Sequence, residues 1–143
     1  ADHMAPWRKG PTLFIDLIFL MDTSGSMGST AWNNEETFVS NLVETGLASS
    51  TNVGVIQFGS AVDTIYNLTD DQTRSSIATA VTDLDDLNAD ATRMADAYTT
   101  AINLFDTQGT PGNTKAIILL TDGTFSSGQD PFSKKSELDA ASI

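Results

Sequence analysis

Two short segments of the 143-residue chain are apolar at every position, residues 17–21 (LIFLM) and residues 116–120 (AIILL). A strand with one face in water alternates between polar and apolar residues, whereas a strand that is apolar throughout has both faces covered. Strands of the second kind are typical of the centre of a parallel sheet that has helices on both sides. This pattern constrains the fold more strongly than any other feature of the sequence.

The segments around these two strands predict the rest of the fold. Residues 53–58 and 61–67 predict two further strands that are joined by a tight hairpin. Apolar residues at helical spacing predict helices, and Asn33 or Asn34 is the candidate N-cap of the first. The predicted helices lie near residues 38–43, 77–84, 94–105 and from about 133 onward. The prediction is a doubly wound, Rossmann-like α/β fold with a mainly parallel sheet, one antiparallel edge strand and helices on both faces.

The length and the net charge of the chain limit its domain organisation and the kinds of partner it can bind. Residues 1–11 contain two prolines and a glycine, and we expect a vector-derived remnant and flexible lead-in there. Residues 12–143 then form one domain, since domains usually have about 100–200 residues. The chain has 19 acidic and 7 basic residues, a formal net charge of −12, which argues against a nucleic-acid partner. No apolar run approaches the roughly 20 residues that span a bilayer, so membrane insertion is not expected.

Oxygen-bearing side chains follow both apolar strands directly. Asp22, Ser24 and Ser26 come after the first, and alternate residues of an extended segment project to one side. Asp122 follows the second strand, and the carboxyl ends of parallel strands meet at one edge of the sheet. Two neighbouring carboxylates repel each other unless a positive charge lies between them. Because the chain has no cysteine, these residues predict a site for a hard divalent cation.

The same residues resemble the metal-ion-dependent adhesion site of a von Willebrand factor type A domain, also called an integrin I domain. That site begins with Asp-x-Ser-x-Ser, matched by Asp22, Ser24 and Ser26, and includes an aspartate within Thr-Asp-Gly, matched by Asp122. The family also supplies a threonine ahead of a helix, and Thr92 falls in that place. The family stretch Gly-Thr-x-Thr-Gly is altered here, since residues 91–95 read ATRMA.

The resemblance implies a non-enzymatic domain that binds Mg²⁺, or alternatively Mn²⁺ or Ca²⁺, and through it a protein ligand that presents Glu or Asp. It covers about residues 12–143, and the family continues with further strands and helices beyond the position of Ile143. We therefore expect a domain that lacks its last strands, with the strand at residues 115–120 as a free edge open to self-association.

The residues leave two other functions open. A flavodoxin-like phosphate or flavin binder also has a loop rich in Ser, Thr and Gly after its first strand, although Asp22 and Asp122 would repel a phosphate. A metal-dependent phosphoester hydrolase would need a general base, and the single histidine, His3, lies in the remnant. Asn67 begins an Asn-Leu-Thr glycan acceptor triplet, which favours an extracellular or cell-surface protein over an intracellular module.

Overall fold

The structure is a computed structural model that describes residues 14–143. The lead-in predicted for residues 1–11 lies outside this range. The strands are β1 (Ile15–Asp22), β2 (Thr51–Phe58), β3 (Val62–Tyr66) and β4 (Thr114–Leu120). The helices are α1 (Gly28–Asn41), α2 (Arg74–Thr82), α3 (Met94–Gln108) and α4 (Lys135–Ala140), with a π-helical turn at Leu42–Gly46 and a 3₁₀ turn at Pro131–Lys134. No helix within residues 14–143 has the length and apolar character needed to cross a bilayer.

The four strands form one sheet in the order β3-β2-β1-β4. β1 is parallel to β2 on one side and to β4 on the other, and β3 pairs antiparallel with β2. The predicted mainly parallel sheet with one antiparallel edge strand is confirmed. Met21 pairs with Leu120 in the β1–β4 register, so the residues that follow the two strands leave the sheet side by side.

β1 is buried on both faces, as its apolar sequence predicts. Leu17, Phe19 and Met21 pack in the same core cluster as apolar residues of α1 and α2. Ile18 and Leu20 point to the opposite face, where they pack with residues of α3. Because successive side chains of a strand point to opposite faces, one continuous apolar segment forms the centre of two cores. Helices therefore cover both faces of the sheet, as predicted.

α1 begins earlier than the sequence indicates. The N-cap prediction at Asn33 or Asn34 is wrong, because the helix already starts at Gly28. The backbone N–H of Met27 donates to the carbonyl of Ser24 at 3.1 Å, and this turn leads directly into the helix. Gly28 has a φ of +73°, a conformation that glycine adopts without strain. The loop after β1 is consequently short and is tied at both ends to regular structure.

The free side of β4 borders a groove. Among residues 14–143, β4 is paired with β1 alone, so its outer edge has no strand neighbour. Leu120 and Thr121 line the groove on the β4 side, and Met27, Ala31 and Glu35 line it on the α1 side. Self-association through this edge stays a prediction. An unpaired strand edge can form backbone hydrogen bonds with another strand, but it does not identify the chain to which that strand belongs.

Glu35 is an acid in the buried stripe of α1. It is 4% exposed, and neither carboxyl oxygen has a hydrogen-bond partner within residues 14–143. The pKa of Glu35 is raised from 4.5 to about 9, mainly by burial and in smaller part by the charges of Asp22 and Asp86. The carboxyl group is therefore protonated at neutral pH in the cation-free protein.

Asp16 ties together three segments at the amino end of β1. Its carboxylate is 1% exposed and accepts hydrogen bonds from the side-chain amides of Asn52 at 3.1 Å and Asn113 at 3.0 Å. It also accepts one from the backbone N–H of Thr110 at 2.7 Å. These donors lie on β2 and on the loop between α3 and β4, so Asp16 fixes the two strands that flank β1.

We expect Asp16→Ala to lower the free energy of unfolding by roughly 3 kcal/mol, because three donors to a buried carboxylate lose their acceptor. Urea unfolding followed by circular dichroism measures the change. Asp63→Ala, at an exposed position of β3, is the matched control and should change stability by less than about 0.5 kcal/mol. An equal effect of the two substitutions would contradict the role assigned to Asp16.

Glu35→Gln should stabilise the cation-free protein at pH 7–8 and leave it nearly unchanged near pH 4. The folded pKa is raised, so the unfolded chain releases its proton above about pH 4.5 while the folded chain keeps it up to about pH 9. Stability therefore falls as pH rises through this window, by roughly 1.4 kcal/mol per pH unit at most. Glutamine removes this slope. Thermal unfolding in EDTA between pH 4 and 9 is the measurement, and parallel pH profiles for both proteins would contradict the expectation.

Candidate metal site

Asp22 lies at the carboxyl end of β1 and is completely buried. Its Oδ1 accepts a hydrogen bond from the backbone N–H of Ser24 at 2.8 Å, and its Oδ2 accepts one from the hydroxyl of Thr121 at 2.6 Å. Donors from both strand ends hold a carboxylate in this position in one orientation. Because both oxygens already have protein donors, Asp22 is suited to position the loop and act on a cation through water.

Hydroxyl groups connect this loop to the other predicted carboxylate. Ser24 Oγ lies 3.0 Å from Ser26 Oγ, and Ser26 Oγ lies 3.2 Å from Thr124 Oγ1. Thr124 Oγ1 donates to Asp122 Oδ1 at 2.7 Å, and the backbone N–H of Thr124 donates to the same oxygen at 2.9 Å. The structure thus brings Asp22, Ser24, Ser26 and Asp122 into one connected cluster.

Asp122 remains ionised in this setting. Slight desolvation would raise the pKa of Asp122, but the two hydrogen bonds from Thr124 outweigh it and hold the pKa below its ordinary value. Within residues 14–143 there is no cluster of three or more His, Cys, Asp or Glu side chains that could hold a metal. A cation between Asp22 and Asp122 would therefore depend on serine and threonine hydroxyls for its remaining protein ligands.

Thr92 reaches the same end of the sheet through its backbone. It is buried, its N–H donates to Ser126 Oγ at 2.9 Å, and its carbonyl accepts from the N–H of Ser126 at 3.1 Å. This double contact fastens the segment before α3 to the loop that carries Asp122. Within residues 14–143, the Thr92 hydroxyl makes no hydrogen bond to the other four predicted residues. The ligand role of Thr92 therefore stays a prediction.

The loop between α2 and α3 forms a wall beside the cluster. The backbone N–H of Leu87 donates to Thr23 Oγ1 at 2.7 Å, and that of Ala89 donates to the Thr23 carbonyl at 3.0 Å. Gly25 donates to the Ala89 carbonyl at 2.8 Å, and a Cβ at Gly25 would meet the Asn88 side chain at 3.0 Å. Because the Asn88 side chain approaches so closely, a glycine is favoured between Ser24 and Ser26. Packing therefore explains the glycine at this position of the motif.

Three residues of the cluster are not among those predicted from sequence. Thr121 and Thr124 act on the two aspartates, and Ser126 fastens Thr92. Aspartate side chains commonly accept a hydrogen bond from the backbone N–H two residues later, which forms a turn. This pattern could have indicated from sequence that Thr124 contacts Asp122. No sequence pattern indicates that Ser126 contacts Thr92, because that contact depends on how two distant loops pack.

The family model and the sequence relatives that match this chain point to the same protein family. The family model for the von Willebrand factor type A domain matches residues 16–143. Matrilin-1 of Gallus gallus is 32% identical over 124 residues, which is 81% of this chain and 24% of that protein. The collagen alpha-5(VI) chain of Mus musculus is 35% identical over 113 residues, 76% of this chain and 4% of that protein. The chain thus spans only a small part of these relatives.

Solved structures agree with the sequence relatives. Proximal thread matrix protein 1 from the mussel byssus superposes with a TM-score of 0.81 at 26% identity, over 92% of this chain and 36% of that one. A second structure of proximal thread matrix protein 1 has zinc in its metal-ion-dependent adhesion site (MIDAS) motif. It superposes with a TM-score of 0.79 at 25% identity over the same shares of both chains. BatB from Bacteroides thetaiotaomicron, at 22% identity and a TM-score of 0.75 over 89% of this chain and 62% of that one, shares the fold. From the family match over residues 16–143 and these likenesses, the chain belongs to the von Willebrand factor type A domain family.

Proposed function

We propose that the chain binds a divalent cation through Asp22, Ser24, Ser26, Thr92 and Asp122, and through this cation an acidic side chain of a partner protein. The observation that carries the proposal is the connected cluster in which two serine hydroxyls lie between two carboxylates. The relatives support it, because a structural neighbour carries zinc at a MIDAS motif.

The spacing of the two serines suits a small cation. Ser24 Oγ and Ser26 Oγ are 3.0 Å apart. Neighbouring ligands of an octahedral Mg²⁺ ion lie about 3 Å apart, because each metal–oxygen bond is about 2.1 Å long. The hydroxyls therefore need little rearrangement to bind it. Carboxylate and hydroxyl oxygens are ligands for hard cations, so Mg²⁺ is the first choice and Mn²⁺ or Ca²⁺ the alternatives.

The charges of the site favour an acidic partner. Two carboxylates balance a divalent cation, and hydroxyl ligands add no further negative charge. The cation can then take an anionic oxygen from outside as its last ligand, because the site as a whole is not negative. With no cysteine in the chain, with its one histidine at position 3, and with both aspartates hydrogen-bonded, we infer a binding site and no catalytic base.

The names of the relatives suggest the setting. They are a matrilin, a collagen chain and a thread matrix protein of the mussel byssus. We infer from them that this domain works outside the cell, where it joins protein partners of a matrix.

Mg²⁺ at about 100 times its dissociation constant should stabilise the domain by about 2.7 kcal/mol, which raises the Tm by roughly 5–10 °C. EDTA should abolish the shift, and so should Ser26→Ala, which removes a predicted ligand from an exposed position. Differential scanning calorimetry measures the shift. Ser127→Ala, in the loop after Asp122, is the control and should keep it. A Tm that does not respond to Mg²⁺, Mn²⁺ or Ca²⁺ would overturn the cation site.

The acidic-partner part of the proposal is tested with a displayed library of random peptides, selected on the Mg²⁺-loaded domain. Recovered binders should share a Glu or Asp, and replacement of that residue by Gln or Asn should remove binding. Surface plasmon resonance measures each binder with Mg²⁺ and with EDTA. Binders that lack an acidic residue and tolerate EDTA would contradict a ligand role for the partner's carboxylate.

A further inference from the structure

Thr124 lies between two predicted metal-site residues, although the family motif does not include its position. Its hydroxyl is 2.7 Å from Asp122 Oδ1 and 3.2 Å from Ser26 Oγ. Its backbone N–H donates to the same Asp122 oxygen at 2.9 Å. No other residue of the described chain is hydrogen-bonded through one hydroxyl to both Ser26 and Asp122.

Counting hydrogens gives this chain of hydroxyls a direction. The hydroxyl of Thr124 donates its single hydrogen to Oδ1 of Asp122. Ser26 must then be the donor in its contact with Thr124. Its own hydrogen is thereby used, so Ser24 must be the donor to Ser26. The hydrogens run from Ser24 through Ser26 and Thr124 to the carboxylate.

This direction is the one that cation binding requires. A hydroxyl binds a cation through a lone pair, and its hydrogen must point away from the ion. When the hydrogen of Ser26 is directed at Thr124, a lone pair of Ser26 is left for the cation. Thr124 also places two donors on Oδ1 of Asp122, so Oδ2 is the oxygen left to face the ion or a water molecule on it.

We propose that Thr124 is a positioning residue of the cation site, which fixes the hydrogen of Ser26 and the orientation of Asp122 through one hydroxyl. The inference rests on the proposed cation site and adds a residue to it. Fixed ligands matter more for Mg²⁺, which demands near-ideal octahedral geometry, than for Ca²⁺, which accepts flexible shells. Thr124 is therefore also a determinant of the preference for Mg²⁺ over Ca²⁺.

The test compares Thr124→Val, which keeps the shape and removes the hydroxyl, with Thr124→Ser, which keeps the hydroxyl. Isothermal titration calorimetry with Mg²⁺ and with Ca²⁺ gives the affinities. Thr124→Val should weaken Mg²⁺ binding about tenfold, as expected for loss of one hydrogen bond to a charged group. It should weaken Ca²⁺ binding less, by about threefold at most, and Thr124→Ser should restore Mg²⁺ binding to within about twofold.

Ser127→Ala is the matched control in the same loop, and circular dichroism verifies that each variant is folded. Should the valine variant unfold, Thr124→Ala against Thr124→Ser gives the same comparison. Equal Mg²⁺ affinity with and without the hydroxyl, or an equal loss for both cations, would overturn the positioning role and leave the cation site standing. If the unaltered chain binds neither cation, the proposed function fails, and the inference fails with it.

Discussion

The buried carboxylate of Asp22 connects the sheet to the site, and most of the local structure depends on it. A charged carboxylate without hydrogen bonds costs several kcal/mol to bury, so its donors must remain in place in the folded state. One donor is the N–H of Ser24 in the loop after β1, and the other is the hydroxyl of Thr121 at the end of β4. The contacts that make the burial of Asp22 tolerable are thus the ones that bring the two loops together.

β1 has a buried aspartate near each end, Asp16 and Asp22, and only apolar residues between them. An apolar strand that is covered on both faces does not define its own register well, because each apolar residue fits either core. Hydrogen bonds at the two ends of β1 fix the register that the apolar segment leaves undefined. Asp16 binds donors from β2 and from the loop before β4, and Asp22 binds one from the end of β4. The polar residues of β1 therefore determine how its neighbours align.

The sequence predicts the features that depend on local patterns. Two apolar segments predict the central strands, and the short break before residue 61 predicts the hairpin. The start of α1 is missed, because asparagine is a good cap in general, whereas here a turn from Ser24 continues into the helix at Gly28. The burial of Glu35 without a hydrogen-bond partner within residues 14–143 depends on how the elements pack, and the sequence analysis does not predict it.

The site residues that sequence predicts also depend on local patterns, whereas the contacts that it misses join distant segments. Asp22, Ser24 and Ser26 are close in sequence and follow one strand, so spacing alone brings them together. Asp122 can be added because parallel strands end at one edge of a sheet. The contact of Thr92 with Ser126 involves loops 34 positions apart, and no periodicity encodes it. The same limit applies to the 98 positions between Ser26 and Thr124.

The composition of the site follows from charge balance as much as from geometry. In a protein with a net charge of −12, a third carboxylate beside Asp22 and Asp122 would bind a cation more tightly. It would also leave the site negative and repel the carboxylate of a partner. Glu35 is near enough to Asp22 for its pKa to respond to that charge, but burial keeps Glu35 protonated at neutral pH in the cation-free protein. The remaining oxygens come from uncharged hydroxyls, so a bound divalent cation could still accept an anionic ligand.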